Sequence, residues 1–163
     1  MQYIIPLIFG ISAFSVVSGQ DRTDTQLASS YFKNKEYDKA VDLYEKLYDK
    51  TKSKVYFNYY LKCLLELDEH KKAERTIKKQ IRKYPDDLTY YVELGDLYET
   101  IGEYEKAGET YDDAIKEIGR SRSMIIRLSN EFLSKRKYEY AEKTYLQGRK
   151  KMKNYDFHYE LAT

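Results

Sequence analysis

The chain has 163 residues, enough for one domain with a core or for a short repeat array. Its 29 Lys and Arg residues nearly balance 27 Asp and Glu, and a net charge of +2 excludes a general attraction to nucleic acid. With 42% hydrophobic residues and two prolines, the composition favours a helical protein. A single cysteine, Cys63, excludes an intramolecular disulfide.

The N-terminus begins with an almost wholly apolar run over residues 3–17. This run is shorter than the roughly 20 residues that a membrane-spanning helix needs. Val17 and Gly19 fit the small residues that precede a signal-peptidase cut before Gln20. We therefore predict that residues 1–20 are a signal peptide and that the chain is exported to the periplasm or cell envelope of a bacterium. No Lys or Arg precedes the run, so an uncleaved N-terminal anchor is the alternative.

Four columns of residues recur along the rest of the chain at a spacing of 33 or 34 residues. The first column is alanine, at Ala40, Ala73, Ala107 and Ala141. A bulky residue follows each alanine by four positions, and others precede it by nine and by thirteen. These three columns are Tyr44, Ile77, Tyr111 and Tyr145; Tyr31, Leu64, Tyr98 and Phe132; and Leu27, Tyr60, Leu94 and Leu128. Such self-similarity is typical of arrays of helical repeats.

Apolar residues at i, i+3, i+4 and i+7 predict two amphipathic helices in each repeat. The predicted helices are 23–34, 37–49, 54–67, 70–83, 88–101, 104–118, 122–135 and 138–151. Small residues beside the leucine column, at Ala28, Gly95 and Ser129, allow paired helices to approach closely. Leu61 takes this position in the second repeat. We predict that the tyrosines, including Tyr104, pack helix against helix.

The third repeat carries the clearest pattern, and its residues resemble the tetratricopeptide repeat. They are Tyr91, Leu94, Gly95, Tyr98, Ala107 and Tyr111. The resemblance covers residues 21–163 and implies an all-α fold, a right-handed α-solenoid of antiparallel helix pairs. Its repeats fall at about 21–53, 54–87, 88–121 and 122–154, with the start of a fifth at 155–163. The chain stops before that repeat's second helix, so we expect either a fragment of a longer protein or a short capping helix.

The resemblance further implies a concave groove lined by the first helix of each repeat. The residues carried over are Ser29, Phe32, Lys33, Asn58, Lys62, Leu65, Val92, Asp96, Glu99, Ile126, Asn130 and Leu133. This mixture of apolar, amide and charged side chains suits an extended peptide or a partner helix. We therefore expect a non-catalytic protein–protein interaction scaffold. The alternative is a structural or assembly spacer at the N-terminus of a larger cell-envelope protein.

Nothing in the sequence indicates catalysis, a metal site or a cofactor. His70 and His158 stand in columns that other repeats fill with aromatic residues, so both are interpreted as packing residues. Cys63 lies mid-helix beside leucines and is interpreted as a small buried hydrophobe. An enzyme would need chemistry supplied by a region beyond residue 163.

Two clusters of basic residues remain, at residues 71–83 and 149–153. The simpler interpretation is a solvated outer surface, with Lys and Arg near helix C-termini where they favour the helix dipole. The other is contact with lipid headgroups, a polyanion or an acidic protein. Association with a membrane or the envelope therefore stays open, and the sequence predicts no oligomeric state.

Overall fold

A computed structural model describes residues 14–152, with side chains from residue 22 onward. The elements over this range are all α-helices: α1 (Phe14–Lys33), α2 (Tyr37–Thr51), α3 (Lys54–Glu66), α4 (His70–Lys83), α5 (Thr89–Thr100), α6 (Tyr104–Lys116), α7 (Arg122–Ser134) and α8 (Tyr138–Lys151). The predicted helices are confirmed. Their bounds agree within two residues, apart from the start of α1, which lies upstream of the predicted signal cut. None of the helices in this range is both long and apolar enough to cross a membrane. The predicted start of a fifth repeat, at 155–163, lies outside the described residues.

The described residues form two compact units. The first ends at Glu69 and contains α1, α2 and α3; the second begins at His70 and contains α4 to α8. In the first unit α2 packs against both α1 and α3. In the second, α5 packs against α4, α6 and α7, while α8 contacts α6 and α7. The boundary between the units falls inside the second predicted repeat.

A left-handed turn closes the first helix of each of the four repeats that the structure describes. The residues at this turn are Lys35, Asp68, Gly102 and Arg136, with φ angles of 61°, 56°, 81° and 58°. The next residue donates its backbone N–H back into the helix, as when Glu103 donates to the Tyr98 carbonyl at 2.8 Å. This is the Schellman arrangement, which satisfies carbonyls left free at a helix C-terminus. The backbone thus repeats at the same spacing as the sequence, although glycine marks only one of the four turns.

The column of small residues lies where paired helices touch. A Cβ atom added to Gly95 would stand 2.2 Å from Cε1 of Tyr111, so α5 and α6 are in direct contact there. Ala28 and Ser129 take the same place in their repeats, and both are fully buried. The predicted close approach of paired helices is therefore confirmed.

Two of the tyrosines that begin second helices are exceptions to the predicted packing. Tyr104 is 72% exposed and Tyr138 is 65% exposed, so the prediction that they pack between helices was wrong. They are the first residues of α6 and α8, and their side chains lie beside the exposed turn. Tyr37, the first residue of α2, is half-buried and packs against Phe32 of α1.

Candidate protein-binding surfaces

A cluster of aromatic rings lies where the three helices of the first unit meet. We call it the aromatic patch; its members are Phe32, Tyr37, Tyr44, Tyr56 and Tyr59. The ring of Phe32 meets Tyr37, Tyr44 and Tyr59 edge to face, with centroids 5.4, 6.1 and 5.1 Å apart. Tyr59 stacks on Tyr44 at 4.9 Å with an interplanar angle of 11°. These contacts hold the rings in one arrangement.

Part of the aromatic patch is open to solvent, and it brings together two of the predicted contact residues. Phe32 is half-buried and Tyr59 is 37% exposed. The ammonium of Lys62 lies 5.8 Å from the centroid of the Tyr59 ring. Tyr59 therefore joins Phe32 to Lys62, although the family pattern does not include Tyr59 among the contact residues. The signal was available, because Tyr59 precedes Lys62 by three positions on the same face of α3.

The remaining predicted contact residues of the first unit are close in sequence to members of the aromatic patch, on α1 and α3. Lys33 is exposed, and Ser29, Asn58 and Leu65 are half-buried. The Asn58 Oδ1 atom is buried, and within the part of the chain that the structure describes no donor bonds to it. Burial raises the pKa of Tyr44 to about 12, further above physiological pH than the ordinary value of a phenol. The surface thus offers neutral rings beside positive side chains.

In the second unit, the predicted residues of α5 are engaged by the fold itself. Val92 is fully buried, which corrects its prediction as a surface contact. The reason is that α5 is covered by α4, α6 and α7. Asp96 forms an ion pair of 2.9 Å with Lys135, and Glu99 pairs with Lys137. The sequence pattern pointed to Asp96 and Glu99 but not to Lys135 and Lys137, the lysines that pair with them.

Lys135 ties α7 to α5 through two carboxylates. Its Nζ atom lies 3.0 Å from Oε2 of Glu93, which is only 6% exposed, and 2.9 Å from Oδ2 of Asp96. Burial alone would lower the pKa of Lys135, but the two carboxylates outweigh it and the pKa is raised. The ammonium therefore stays charged. The ion pairs of Lys135 with Glu93 and Asp96 join the third repeat to the fourth, so these side chains serve packing between repeats.

An open cleft of about 520 Å³ runs along α7. Two predicted contact residues, Ile126 and Asn130, line it, and Leu133 is 37% exposed but outside it. The other described lining residues are Arg122, Ser123, Arg127, Glu131 and Ser134. Arg127 also donates to the backbone carbonyl of Asp86 at 3.1 Å. Among these lining residues, Ile126 alone has an apolar side chain.

The side chains that could carry chemistry are one cysteine, Cys63, and two histidines, His70 and His158. Cys63 is fully buried, and burial raises the pKa of its thiol to about 11, so the thiol is protonated and unreactive. His70 is half-buried, and His158 lies outside the described residues. Over residues 14–152, no cluster of His, Cys, Asp and Glu could hold a metal ion.

The second basic cluster has a role inside the fold. The Lys151 ammonium donates to the backbone carbonyls of Lys116 and Ile118, at the C-terminal end of α6. A positive charge at this end also favours the helix dipole. The same side chain lines an open cleft of about 660 Å³ with Ile118, Gly119, Arg120 and Lys150.

Comparison with solved structures gives matches at low identity and with TM-scores below 0.5. The crystal structure of MamA is 19% identical over 83% of this chain and 80% of that chain, with a TM-score of 0.45. A complex of the yeast Sti1 TPR2AB domain with pHSP90 is 17% identical over 83% of this chain and 66% of that chain, with a TM-score of 0.48. A search of curated proteins gives no match.

Antiparallel helix pairs recurring every 33 or 34 residues define an α-solenoid of the helical-repeat class. Two family models, both described as tetratricopeptide repeat, match residues 25–50 and 88–117. The two matched segments lie in the first and third repeats and cover less than half of the chain. Both matches support a protein–protein interaction scaffold, and such repeats are typically non-catalytic.

Proposed function

We propose that the chain binds an extended peptide through the aromatic patch and the lysines beside it. The observation that carries this proposal is the convergence of Phe32 and Lys62 on the partly exposed Tyr59 ring. Aromatic rings held in fixed positions present a large contact area at little entropic cost. Anchors of this kind supply most of the affinity in protein interfaces.

The chemistry of this surface indicates which peptides it binds. The rings take an apolar side chain or a proline, as aromatic-lined peptide sites do. Lys62 and Lys33 are exposed and positive, so a carboxylate near the apolar residue adds a charge-assisted contact. The expected ligand is therefore a segment with an apolar residue close to an acidic one.

The test is selection of peptides from a displayed random library by the full chain. The wild type should enrich sequences that pair an apolar with an acidic residue. Lys62→Glu should reverse the preference for acidic residues without affecting folding, since Lys62 is exposed. Tyr59→Ala should reduce binding of the enriched peptides at least tenfold, or about 1.4 kcal/mol.

The matched control is Val55→Ala, also on α3, where the side chain is 61% exposed and outside the aromatic patch. It should bind the enriched peptides as the wild type does. Circular dichroism of each variant checks that the helices remain. If no sequence class is enriched, or if Lys62→Glu enriches the same peptides, the proposal fails and a spacer that assembles other parts of a larger protein is favoured.

A further inference from the structure

Helix α4 has a charge distribution unlike that of the corresponding helix in the next repeat. Seven of its 14 residues are Lys or Arg, and only Glu74 is acidic. By contrast, α6 carries two lysines and four acidic residues. The whole chain has a net charge of only +2, so the positive charge is concentrated on α4.

The basic side chains of α4 all lie on one side of the helix. Because successive residues turn by about 100°, the seven fall within an arc of about 140° that contains no other residue type. We call this surface the cationic stripe; its members are Lys71, Lys72, Arg75, Lys78, Lys79, Arg82 and Lys83. The opposite side of the helix holds the buried residues Ala73, Ile77 and Gln80.

Most of the charge on the cationic stripe is not neutralised by the fold. Lys78 pairs with Glu74 at 2.6 Å. Four other members, Lys71, Arg75, Lys79 and Arg82, are exposed, and none of them pairs with a carboxylate among residues 22–152. The Arg75 Nε group donates to a backbone carbonyl of its own helix, at 3.2 Å. These four cations are available to anions outside the molecule.

We propose that the cationic stripe binds the surface of a membrane that contains anionic phospholipids. A specific protein interface has an apolar or aromatic centre, and the arc contains no such residue. Anionic headgroups need only positive charge, because lipids move laterally to meet it. The apolar side of α4 is packed inside the fold, so the helix lies on the headgroups without inserting into the bilayer.

The sequence places the chain near such a surface. The apolar run over residues 3–17 engages a membrane whether it is a signal peptide or a retained anchor. Stable attachment generally takes two weak signals, such as one apolar anchor together with a basic surface. Where the run is retained as an anchor, the cationic stripe supplies the second signal; where the run is cleaved, the stripe is the attachment that remains. In both cases it acts independently of the peptide binding proposed above.

The experiment measures co-sedimentation of the full chain with two kinds of vesicle. One kind contains phosphatidylcholine alone, and the other equal parts of phosphatidylcholine and phosphatidylglycerol. The wild type should bind the anionic vesicles at least about tenfold more tightly, and added salt should remove the difference. The variant with Lys71, Arg75, Lys79 and Arg82 changed to Gln should lose the preference while keeping its binding to neutral vesicles.

The matched control changes Arg22, Lys35, Arg120 and Arg136 to Gln. It removes the same charge from exposed positions away from α4 and should keep the preference for anionic vesicles. Glutamine is a good helix former, so α4 should remain folded, and circular dichroism checks this. The Tyr59→Ala variant should bind vesicles as the wild type does, which separates this proposal from peptide binding.

Three outcomes would overturn the proposal. The first is equal binding of the wild type to neutral and anionic vesicles. The second is an equal loss of preference in the α4 variant and in the control. The third is binding to polyglutamate or duplex DNA that requires the cationic stripe, without any preference for anionic vesicles, which would assign the stripe to a polyanion.

Discussion

Gly95 sets the distance between α5 and α6, because the Tyr111 ring fills the space that a side chain would need. We predict that Gly95→Ala lowers the free energy of unfolding by about 1–3 kcal/mol, the usual cost of overpacking. The Tyr111 ring is fully buried, and its Cε1, Cδ1 and Cζ atoms all lie within 2.7 Å of the added Cβ. Unfolding in urea measures the effect.

The control for this change is Gly108→Ala, in the middle of α6. The nearest atom to an added Cβ there is the Tyr140 hydroxyl oxygen, at 3.4 Å. Without a clash, the alanine should stabilise the helix by about 0.5–1 kcal/mol. Equal stability of the two variants would show that the contact at Gly95 does not limit helix packing.

At the scale of elements, the Lys135 cluster joins α7 to α5 by charge. We predict that Lys135→Met destabilises the chain by about 2 kcal/mol, below the usual range for a buried pair because Lys135 is 25% exposed. The loss arises because the buried Glu93 carboxylate no longer has this counter-charge. Adding Glu93→Gln to Lys135→Met should restore most of the stability in a double-mutant cycle.

An exposed pair on α6 provides the comparison. Lys116 and Asp113 lie 3.0 Å apart, and both are well exposed to solvent. Lys116→Met should therefore change the stability by less than about 0.5 kcal/mol. A loss as large as that of Lys135→Met would mean that burial of the Glu93 carboxylate is not the cause.

At the scale of the whole molecule, the buried tyrosines make stability depend on alkaline pH. Burial raises the pKa of Tyr44, Tyr98 and Tyr111, whereas tyrosines in the unfolded chain release their protons near pH 10. Above about pH 10 the unfolded state therefore binds fewer protons than the folded state, and stability falls as pH rises. This contribution is fully present at lower pH.

We predict that the urea midpoint falls steadily between pH 10 and pH 12, the latter being about the pKa of Tyr44. Tyr44→Phe should make the fall less steep, because it removes one buried phenol. Tyr104→Phe removes a phenol that is 72% exposed and should leave the slope unchanged. The same slope in all three proteins would rule out Tyr44 as a source of the pH dependence.

The sequence predicted the fold well because a repeat imposes one pattern several times. Each column recurs four times, so the helices followed from the apolar periodicity and the close contact at Gly95 from the column of small residues. The contacts of Tyr59 and Lys135 occur in one repeat each, so the repeated columns do not identify them. For Tyr59 only the helical spacing to Lys62 within α3 gave a signal. Val92 was assigned to the surface because the family pattern takes no account of the neighbours that cover α5.

The left-handed turns constrain how the chain can change in length. Successive side chains on a helix point in directions about 100° apart. An insertion of arbitrary size within a helix would therefore rotate the apolar side of its remaining part away from the neighbouring helix. Insertion of one complete repeat, from one left-handed turn to the next, keeps the apolar sides of the helices facing their neighbours. Repeats can therefore be gained or lost whole, whereas single-residue insertions are tolerated mainly at the turns themselves.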